Sequence, residues 1–188
     1  MNRRELLRAT ASLGVLAATG ARAAPILTDD GLYKEPWFLE TFLELADDLE
    51  AAHKDGKRFV IMWELKGCPY CRETHFVNFA QKRVSDYIQS NFEVLQLNII
   101  GSRKVTDFDG AEIAEKDLAA KYNVRFTPTF QFFPERAAGL KSLPPEKREV
   151  ARAPGYMRPD DFLALFRYVR EKAYETKSFR DFLKTLPS

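Results

Sequence analysis

The segment from Arg58 to Cys71, RFVIMWELKGCPYC, joins a short apolar run to the only two cysteines of the sequence. The run RFVIMWE (58–64) is rich in aromatic and β-branched residues and is short enough to be a buried strand. A helical pattern follows from Cys68 to about Ser90. We therefore predict a strand that leads through a short loop into a helix, with Cys68 at the start of that helix.

The cysteine pair itself favours chemistry over stabilisation. Cys68 and Cys71 lie three positions apart, and a disulfide across so short a loop stabilises a fold only weakly. At a helix start, the unpaired N–H groups and the helix dipole favour a thiolate. Pro69 suits the first helical turn because its missing N–H has no helical partner. We predict that Cys68 is the nucleophile and that Cys71 resolves the mixed disulfide.

Length and composition limit the number of domains and the class of protein. A chain of 188 residues with 45% hydrophobic content is sufficient for one domain with a buried core. No stretch reaches the roughly 18 apolar residues that a membrane-spanning helix needs. We therefore expect a soluble mature protein with no stable membrane insertion.

Residues 1–23 have the features of an export signal. Arg3 and Arg4 are followed by a weakly apolar stretch, and Ala21 and Ala23 form a small-residue cleavage pattern. The NRRELLR sequence resembles a twin-arginine signal, although the general secretory route also remains open. Cleavage would remove four arginines and one glutamate, which changes the formal net charge from +2 to −1. We expect a periplasmic protein with no affinity for nucleic acid.

The rest of the chain reads as an α/β domain over residues 37–188, preceded by a turn-rich tether at 24–36. An extra N-terminal helix is expected over 37–53. The remaining predicted elements are strands at 58–64, 92–99, 127–133 and 148–153, helices at 68–90, 115–122 and 160–176, a small hairpin or loop around Asp109-Gly110, and a last turn or two at 179–186.

This order resembles the thioredoxin family. A strand that runs into CxxC at a helix start, an X-Pro before a later strand and a glycine after the final strand match it from Trp37 to Ala173. The segments GCPYC, RFTPTF and APGYMRPDDF are most similar to the exported thioredoxins of bacterial sulfur oxidation, the SoxW type. The resemblance implies a thioredoxin fold, with a central mixed sheet of about four strands flanked by helices. It also implies a thiol-disulfide oxidoreductase without a cofactor.

The resemblance further implies a substrate-binding set. Thr127 and Pro128 correspond to the family's threonine and cis-proline, where the proline leaves an edge open for an extended substrate segment. Pro69, Tyr70 and Gly155 complete the residues that we expect to contact substrate.

The sequence departs from the family at one position. Thioredoxins commonly carry a buried aspartate six residues before the first cysteine, and this chain has Met62 there. Strand alternation puts Glu64 on the same face as Met62 and nearer Cys68. Glu64 is therefore a candidate catalytic acid/base. A solvent-facing glutamate at the strand end is the alternative.

Three other functions stay open. The Pro-Tyr pair between the cysteines does not fix the reduction potential, so the protein could instead be a disulfide donor. Cys68, Cys71 and His75 together could carry copper or zinc, although we expect no resident metal. CPYC also occurs in glutaredoxins, but an exported protein would find little glutathione.

The partners that we expect follow from export and from the resemblance. They are exported proteins with disulfides or thiols, sulfur-oxidation carrier proteins among them. Because a periplasmic thiol needs a supply of electrons to stay reduced, we also expect an inner-membrane electron donor.

Overall fold

The computed structural model describes residues 24–186, so the predicted signal at 1–23 lies outside the described residues. Its strands are β1 (Ile26–Leu27), β2 (Tyr33–Lys34), β3 (Arg58–Glu64), β4 (Phe92–Asn98), β5 (Lys104–Thr106), β6 (Glu112–Ala114), β7 (Thr129–Phe132) and β8 (Ala151–Pro154). Its α-helices are α1 (Leu45–Lys54), α2 (Pro69–Glu73), α3 (Lys82–Asn91), α4 (Glu115–Lys121), α5 (Pro159–Arg170) and α6 (Phe179–Leu183). A π-helix spans Thr74–Phe79, and three short 3₁₀ turns lie at 140–142, 145–147 and 173–175.

The central sheet has four strands in the order β4-β3-β7-β8. β3 pairs with β4 in parallel and with β7 antiparallel, and β7 pairs antiparallel with β8. Two small hairpins, β1-β2 and β5-β6, lie outside this sheet. The expected mixed sheet of four strands with flanking helices is therefore confirmed.

β3 lies at the middle of the sheet and is buried along its whole length. Its side chains alternate between two cores, as strand geometry requires. Val60 and Met62 face the core built with α3 and α5, whereas Phe59, Ile61 and Trp63 face the core built with α1 and α4. Burial on both faces explains why this strand reads as a continuous apolar run.

The predicted helix at 37–53 is wrong in its first half, because α1 begins only at Leu45. Leu43 has a left-handed backbone, with φ of 64°. The N–H of Leu39 donates to the carbonyl of Val94, and the carbonyl of Leu43 accepts from the N–H of Thr106. Tertiary hydrogen bonds therefore hold this part of the chain extended, despite its helical spacing of apolar residues.

Residues 24–36 are more than a tether. They contain the β1-β2 hairpin, in which Ile26 pairs with Lys34. Leu32 is only 4% exposed and Glu35 only 2% exposed. This segment is therefore part of the folded domain, and we call residues 26–35 the N-terminal hairpin.

The predicted helix at 68–90 is divided into three parts. After α2, the chain continues as the π-helix, in which Thr74, His75, Asn78 and Phe79 are buried. Gln81 then adopts an extended backbone and α3 begins at Lys82. Single π-helical turns of this kind occur frequently at functional sites.

Two C-terminal boundaries also differ from the prediction. The helix predicted at 160–176 ends at Arg170, and Lys172 then takes a left-handed backbone. The last strand begins at Ala151 rather than at 148, because Arg148 is drawn into buried ion pairs with Asp107. Within residues 24–186, no helix is long and apolar enough to cross a membrane.

Candidate active site

Cys68 and Cys71 form a disulfide at the start of α2, with their Cα atoms 5.3 Å apart. Cys68 is the N-cap residue and Pro69 opens the first turn. The N–H of Cys71 donates to Sγ of Cys68 over 3.1 Å. Cys68 is partly exposed, whereas Cys71 is 4% exposed. A substrate can therefore reach the first sulfur more easily than the second.

The Thr127-Pro128 segment lies opposite Cys68. The peptide bond between these residues is cis. The carbonyl oxygen of Thr127 is 3.4 Å from Sγ of Cys68. Gly155 closes the other side of this segment, because its N–H donates to the carbonyl of Pro128 over 2.7 Å. The positive φ of Gly155, 86°, is one that residues with a side chain rarely adopt.

Aromatic side chains surround this part of the surface. Tyr70, between the cysteines, stacks on Tyr156 with ring centroids 6.1 Å apart. Tyr70 is 56% exposed and Phe126, next to Thr127, is 67% exposed. The structure thus brings all five predicted substrate-binding residues together at one end of the sheet: Pro69, Tyr70, Thr127, Pro128 and Gly155.

Glu64 ends β3 and is 1% exposed, so the solvent-facing alternative is wrong. Its carboxylate contacts Nε2 of His75 at 3.1 and 3.3 Å from its two oxygens. The side-chain amide of Gln96 also donates to it. Met62, two positions earlier, lies fully buried in the apolar core. Glu64 is therefore a buried carboxylate near the cysteines, although one pleat away from the position of the family's aspartate.

His75 lies between two carboxylates. Its Nδ1 is 2.9 Å from Glu35, and its Nε2 contacts Glu64. Burial acts to lower the pKa of His75, but the hydrogen bonds and charges of Glu35 and Glu64 outweigh it and raise the pKa from 6.5 to about 9. The ring is therefore an imidazolium at neutral pH, with both nitrogens acting as donors.

This geometry corrects the idea of a copper or zinc carrier. Since both ring nitrogens of His75 are bound to carboxylates, His75 cannot also ligate a metal held by the two cysteines. Among residues 24–186, no group of three or more histidine, cysteine or acidic side chains is arranged to hold a metal ion.

A cavity of about 570 Å³ lies between the N-terminal hairpin and the cysteines. Glu64 and Cys71 both line it, together with Tyr33 of the hairpin. Lys66 and Arg72 line its outer part; the stem of Lys66 passes over Gly31, and the guanidinium of Arg72 lies 4.7 Å from the centre of the Phe76 ring. The Thr127-Pro128 segment therefore lies on one side of the disulfide, and this cavity lies on the other.

The loop after β4 leaves the sheet at the same end as the loop that carries Cys68, because Asn98 pairs in parallel with Glu64 and the N–H of Ile99 donates to the carbonyl of Glu64. The rule that loops at the carboxyl ends of parallel strands share one rim predicts this placement for residues 100–113. Residues 100–103 line a second cavity of about 480 Å³, with Asp30 and Lys34 of the N-terminal hairpin on its other side. Thr28, Asp29 and Leu32 line both cavities, so the hairpin lies between this loop and the cysteines.

Sequence reasoning missed Glu35 and Gln96. Glu35 stands in a polar, turn-rich stretch, YKEPW, which carries no signal of burial. Gln96 lies in β4, where alternation indicates only that it shares a sheet face with Val94 and Asn98. The roles of Glu35 and Gln96 follow only from the tertiary structure, in which the N-terminal hairpin and the π-helix pack against the sheet.

The fold and the site define a class of protein: a thioredoxin fold with a disulfide-bonded Cys-x-x-Cys pair at a helix start. A family model described as a thioredoxin-like domain matches residues 45–170. The chain belongs to this family.

A solved structure shows the same fold. A thioredoxin-fold protein from Helicobacter pylori is 23% identical, with a TM-score of 0.53, over 73% of this chain and 91% of that chain. A thioredoxin from Thermus thermophilus is 22% identical, with a TM-score of 0.49, over 67% of this chain and 83% of that chain. No curated protein matches the sequence.

Proposed function

We propose that this protein is an exported thiol-disulfide oxidoreductase that reduces disulfides of partner proteins through Cys68 and Cys71. The observation that carries the proposal is the position of the Cys68 sulfur. It accepts a hydrogen bond from the N–H of Cys71 at the start of α2 and lies 3.4 Å from the Thr127 carbonyl. The N–H favours a thiolate on the partly exposed sulfur, and the neighbouring cis-proline segment supplies an edge for a substrate chain.

The reaction balances as two exchanges. The Cys68 thiolate attacks one sulfur of a substrate disulfide, which forms a mixed disulfide and releases the other substrate sulfur as a thiolate. Cys71 then loses its proton and attacks Cys68. This step closes the Cys68–Cys71 disulfide and releases the second substrate thiolate. Two electrons pass to the substrate, and a donor must return them to the disulfide.

The direction of electron flow follows from the potential of the pair. The helix start stabilises the reduced form and so raises the potential, which favours a disulfide donor. The apolar side chain of Met62 and the buried carboxylate of Glu64, which lines the same cavity as Cys71, both disfavour a further negative charge near the site. We expect a potential nearer the thioredoxin value of about −270 mV than the roughly −120 mV of a strong oxidant. Equilibration with a dithiothreitol series measures it, and a value above about −160 mV would identify a disulfide donor instead.

The location and the partners are also part of the proposal. The signal features of residues 1–23 support export to the periplasm, by the twin-arginine or the general secretory route. The likeness of GCPYC, RFTPTF and APGYMRPDDF to the SoxW type supports sulfur-oxidation carrier proteins as partners. An inner-membrane dithiol would return the electrons, because the periplasm is oxidising.

Two serine variants test the chemistry. Cys71→Ser should accumulate partners as mixed disulfides, since Cys71 is no longer there to resolve them. Cys68→Ser should trap nothing and should not reduce insulin in the presence of dithiothreitol. Trapping by Cys68→Ser but not by Cys71→Ser would reverse the assignment of the nucleophile, and insulin reduction by Cys68→Ser at the rate of the natural chain would remove the proposal.

A further inference from the structure

Two exposed cations lie at the cavity between the N-terminal hairpin and the disulfide. Lys66 and Arg72 line this cavity together with Cys68 and Cys71. Neither cation forms an ion pair with a carboxylate within residues 24–186. Their positive charges are therefore available to a molecule that approaches the two sulfurs from this side.

Contacts with the N-terminal hairpin hold both cations in place. A methyl group on Gly31 would meet the stem of Lys66 at 2.8–3.0 Å, so this stem lies directly against the hairpin backbone. The guanidinium of Arg72 lies 4.7 Å from the centre of the Phe76 ring, and Phe76 packs edge-on against Tyr33 of the hairpin, with ring centroids 5.0 Å apart. Because side chains that are already held lose less conformational entropy on binding, the hairpin prepares both cations to bind an anion.

The other charges around the cavity do not cancel these two. Glu64 lies at the inner wall, is 1% exposed and contacts the imidazolium of His75, which compensates part of its charge. Among the described residues that line the cavity, Asp29 is the only exposed carboxylate. Glu73 of α2 lies against Tyr156 and does not line the cavity. The exposed charges at the cavity are therefore two positive and one negative.

This cavity is separate from the edge at Thr127-Pro128, because neither of those residues lines it. Its volume of about 570 Å³ corresponds to a width of about 8 Å, which an extended chain crosses in two or three residues. A substrate segment that pairs at Thr127 and brings its sulfur to Cys68 therefore has a neighbouring residue within reach of the cavity.

We propose that Lys66 and Arg72 form a carboxylate-binding subsite for the partner protein, and that the preferred partner segments carry an aspartate or glutamate within about three residues of the reactive cysteine. The proposal deepens the exchange function proposed above and rests on it. It gives the N-terminal hairpin a role in the choice of substrate. The hairpin residues that hold the two cations, Gly31 and Tyr33, precede the region that the family model matches.

Activated peptides test this preference. Two peptides contain a single cysteine and differ only in having glutamate or glutamine at the second position before it and the second position after it. The cysteine is activated as a mixed disulfide with 2-thiopyridine, a leaving group without charge. The Cys68 thiolate attacks the peptide sulfur and forms a mixed disulfide, and the released thiopyridine sulfur takes up a proton. Cys71 then closes the Cys68–Cys71 disulfide and releases the peptide thiolate.

The absorbance of the released thiopyridone gives the rate of the first attack. We expect the reduced protein to react about 10-fold faster with the glutamate peptide than with the glutamine peptide in about 10 mM sodium chloride. In about 1 M sodium chloride, the ratio of the two rates should fall below about twofold, because salt screens exposed charges.

Substitutions at the cavity should change this ratio. We expect Lys66→Gln and Arg72→Gln each to lower it to about threefold, and the double variant to lower it to about one. Asp29→Asn should raise it, because the substitution removes the carboxylate that competes for the two cations. Lys147→Gln is the matched control and should keep the ratio, since it removes an exposed cation from the turn at 145–147, at the opposite end of β8 from Gly155.

The ratio of the two rates separates carboxylate binding from the reactivity of Cys68. Lys66 and Arg72 also act on the Cys68 thiolate through their charge, so their replacement changes the absolute rates. Such a change affects both peptides equally and cancels in the ratio. A change in the ratio therefore reports a contact with the peptide carboxylates.

The outcomes separate this proposal from the proposed function. Equal rates with the two peptides in the natural chain, or a tenfold ratio that persists in the double variant, would overturn the carboxylate subsite and leave the exchange chemistry intact. Release of thiopyridone by Cys68→Ser at the rate of the natural chain would remove the proposed function itself. Circular dichroism checks that each variant is folded, and the comparison in the natural chain needs no variant.

Discussion

The sulfur of Cys68 caps the helix that carries Cys71: the backbone N–H of Cys71 donates to Sγ of Cys68 over 3.1 Å. A sulfur atom thus takes the part that a serine or aspartate oxygen plays at other helix starts. The same contact that favours the Cys68 thiolate also satisfies one of the unpaired N–H groups of α2. Reactivity and local stability are therefore coupled at this residue.

This coupling predicts a difference between two inactive variants. Cys68→Ser keeps a side-chain acceptor for the Cys71 N–H, whereas Cys68→Ala removes it. We expect reduced Cys68→Ala to be less stable than reduced Cys68→Ser by about 1 kcal/mol, the usual value for a helix N-cap. Urea unfolding of the two variants under reducing conditions measures it. Equal midpoints would mean that the sulfur does not act as a cap.

The buried His75 predicts a loss of stability at alkaline pH. Because folding raises the pKa of His75 from 6.5 to about 9, the stabilisation is complete below pH 6.5 and is lost as pH rises through about 9. Its full size is on the order of 3 kcal/mol. Urea unfolding between pH 6 and pH 10 should show this decline, and His53→Gln, which removes the other histidine, should keep it. A free energy of unfolding that does not change over this pH range would contradict a charged His75 held by Glu35 and Glu64.

Asp48 is a buried carboxylate whose replacement should stabilise the protein at neutral pH. Burial is the main cause that raises the pKa of Asp48 from 3.8 to about 6, with the nearby Asp47 adding to it, while the Thr41 hydroxyl acts against it. The associated stability is present below pH 3.8 and is lost as pH rises through about 6. One of its carboxylate oxygens is buried without a hydrogen-bond partner among the described residues.

We therefore expect Asp48→Asn to stabilise the protein by about 1 kcal/mol at pH 7.5 and to have little effect at pH 4. The exposed neighbour supplies the control, since Asp47→Asn removes the same charge without removing a buried one. Thermal unfolding at both pH values measures the difference. A destabilised Asp48→Asn at pH 7.5 would show that the carboxylate charge is needed where it lies.

Replacing Arg148 should destabilise the fold strongly without changing the redox chemistry. It is 3% exposed and its guanidinium contacts Asp107 at 2.8 Å and Asp109 at 3.1 Å. Arg148→Met would leave Asp107 buried with one cation fewer, which typically destabilises a protein by about 3–5 kcal/mol. Lys147→Met, at an exposed neighbour, is the control. Below its own unfolding midpoint, Arg148→Met should reduce insulin at the normal rate, because the ion pairs lie away from the cysteines.

The parts of the fold that could be predicted are those fixed by local pattern. β3 and the start of α2 follow from a bounded apolar run and from a proline after a cysteine, and both are confirmed at residues 58–64 and 69–73. The Asp109-Gly110 turn was equally predictable, since Gly110 supplies the positive φ that the turn needs. In these places, neighbours in sequence determine the backbone.

The parts that failed depend on contacts between distant residues. The apolar spacing in 37–53 fits a helix. The carbonyl of Leu43, however, accepts a hydrogen bond from the N–H of Thr106, more than sixty positions away. Glu64 could be placed on the correct strand face. The sequence offered its partner His75 only as one possible ligand of copper or zinc, and it placed Glu35 in the predicted tether. A carboxylate that will be buried looks the same in sequence as one that will meet water, until the element that covers it is known.

The N-terminal hairpin lies outside the family domain but contacts a buried residue within it. The region shared with the thioredoxin-like family begins at residue 45, whereas the carboxylate nearest Nδ1 of His75 is at Glu35. Glu35 therefore lies ten positions before the region that the family model matches, yet its hydrogen bond raises the pKa of a buried histidine inside that region. The charge state of His75 thus depends on a segment outside the family domain, so exchanging the leading segment would change the interior of the domain without any substitution within it.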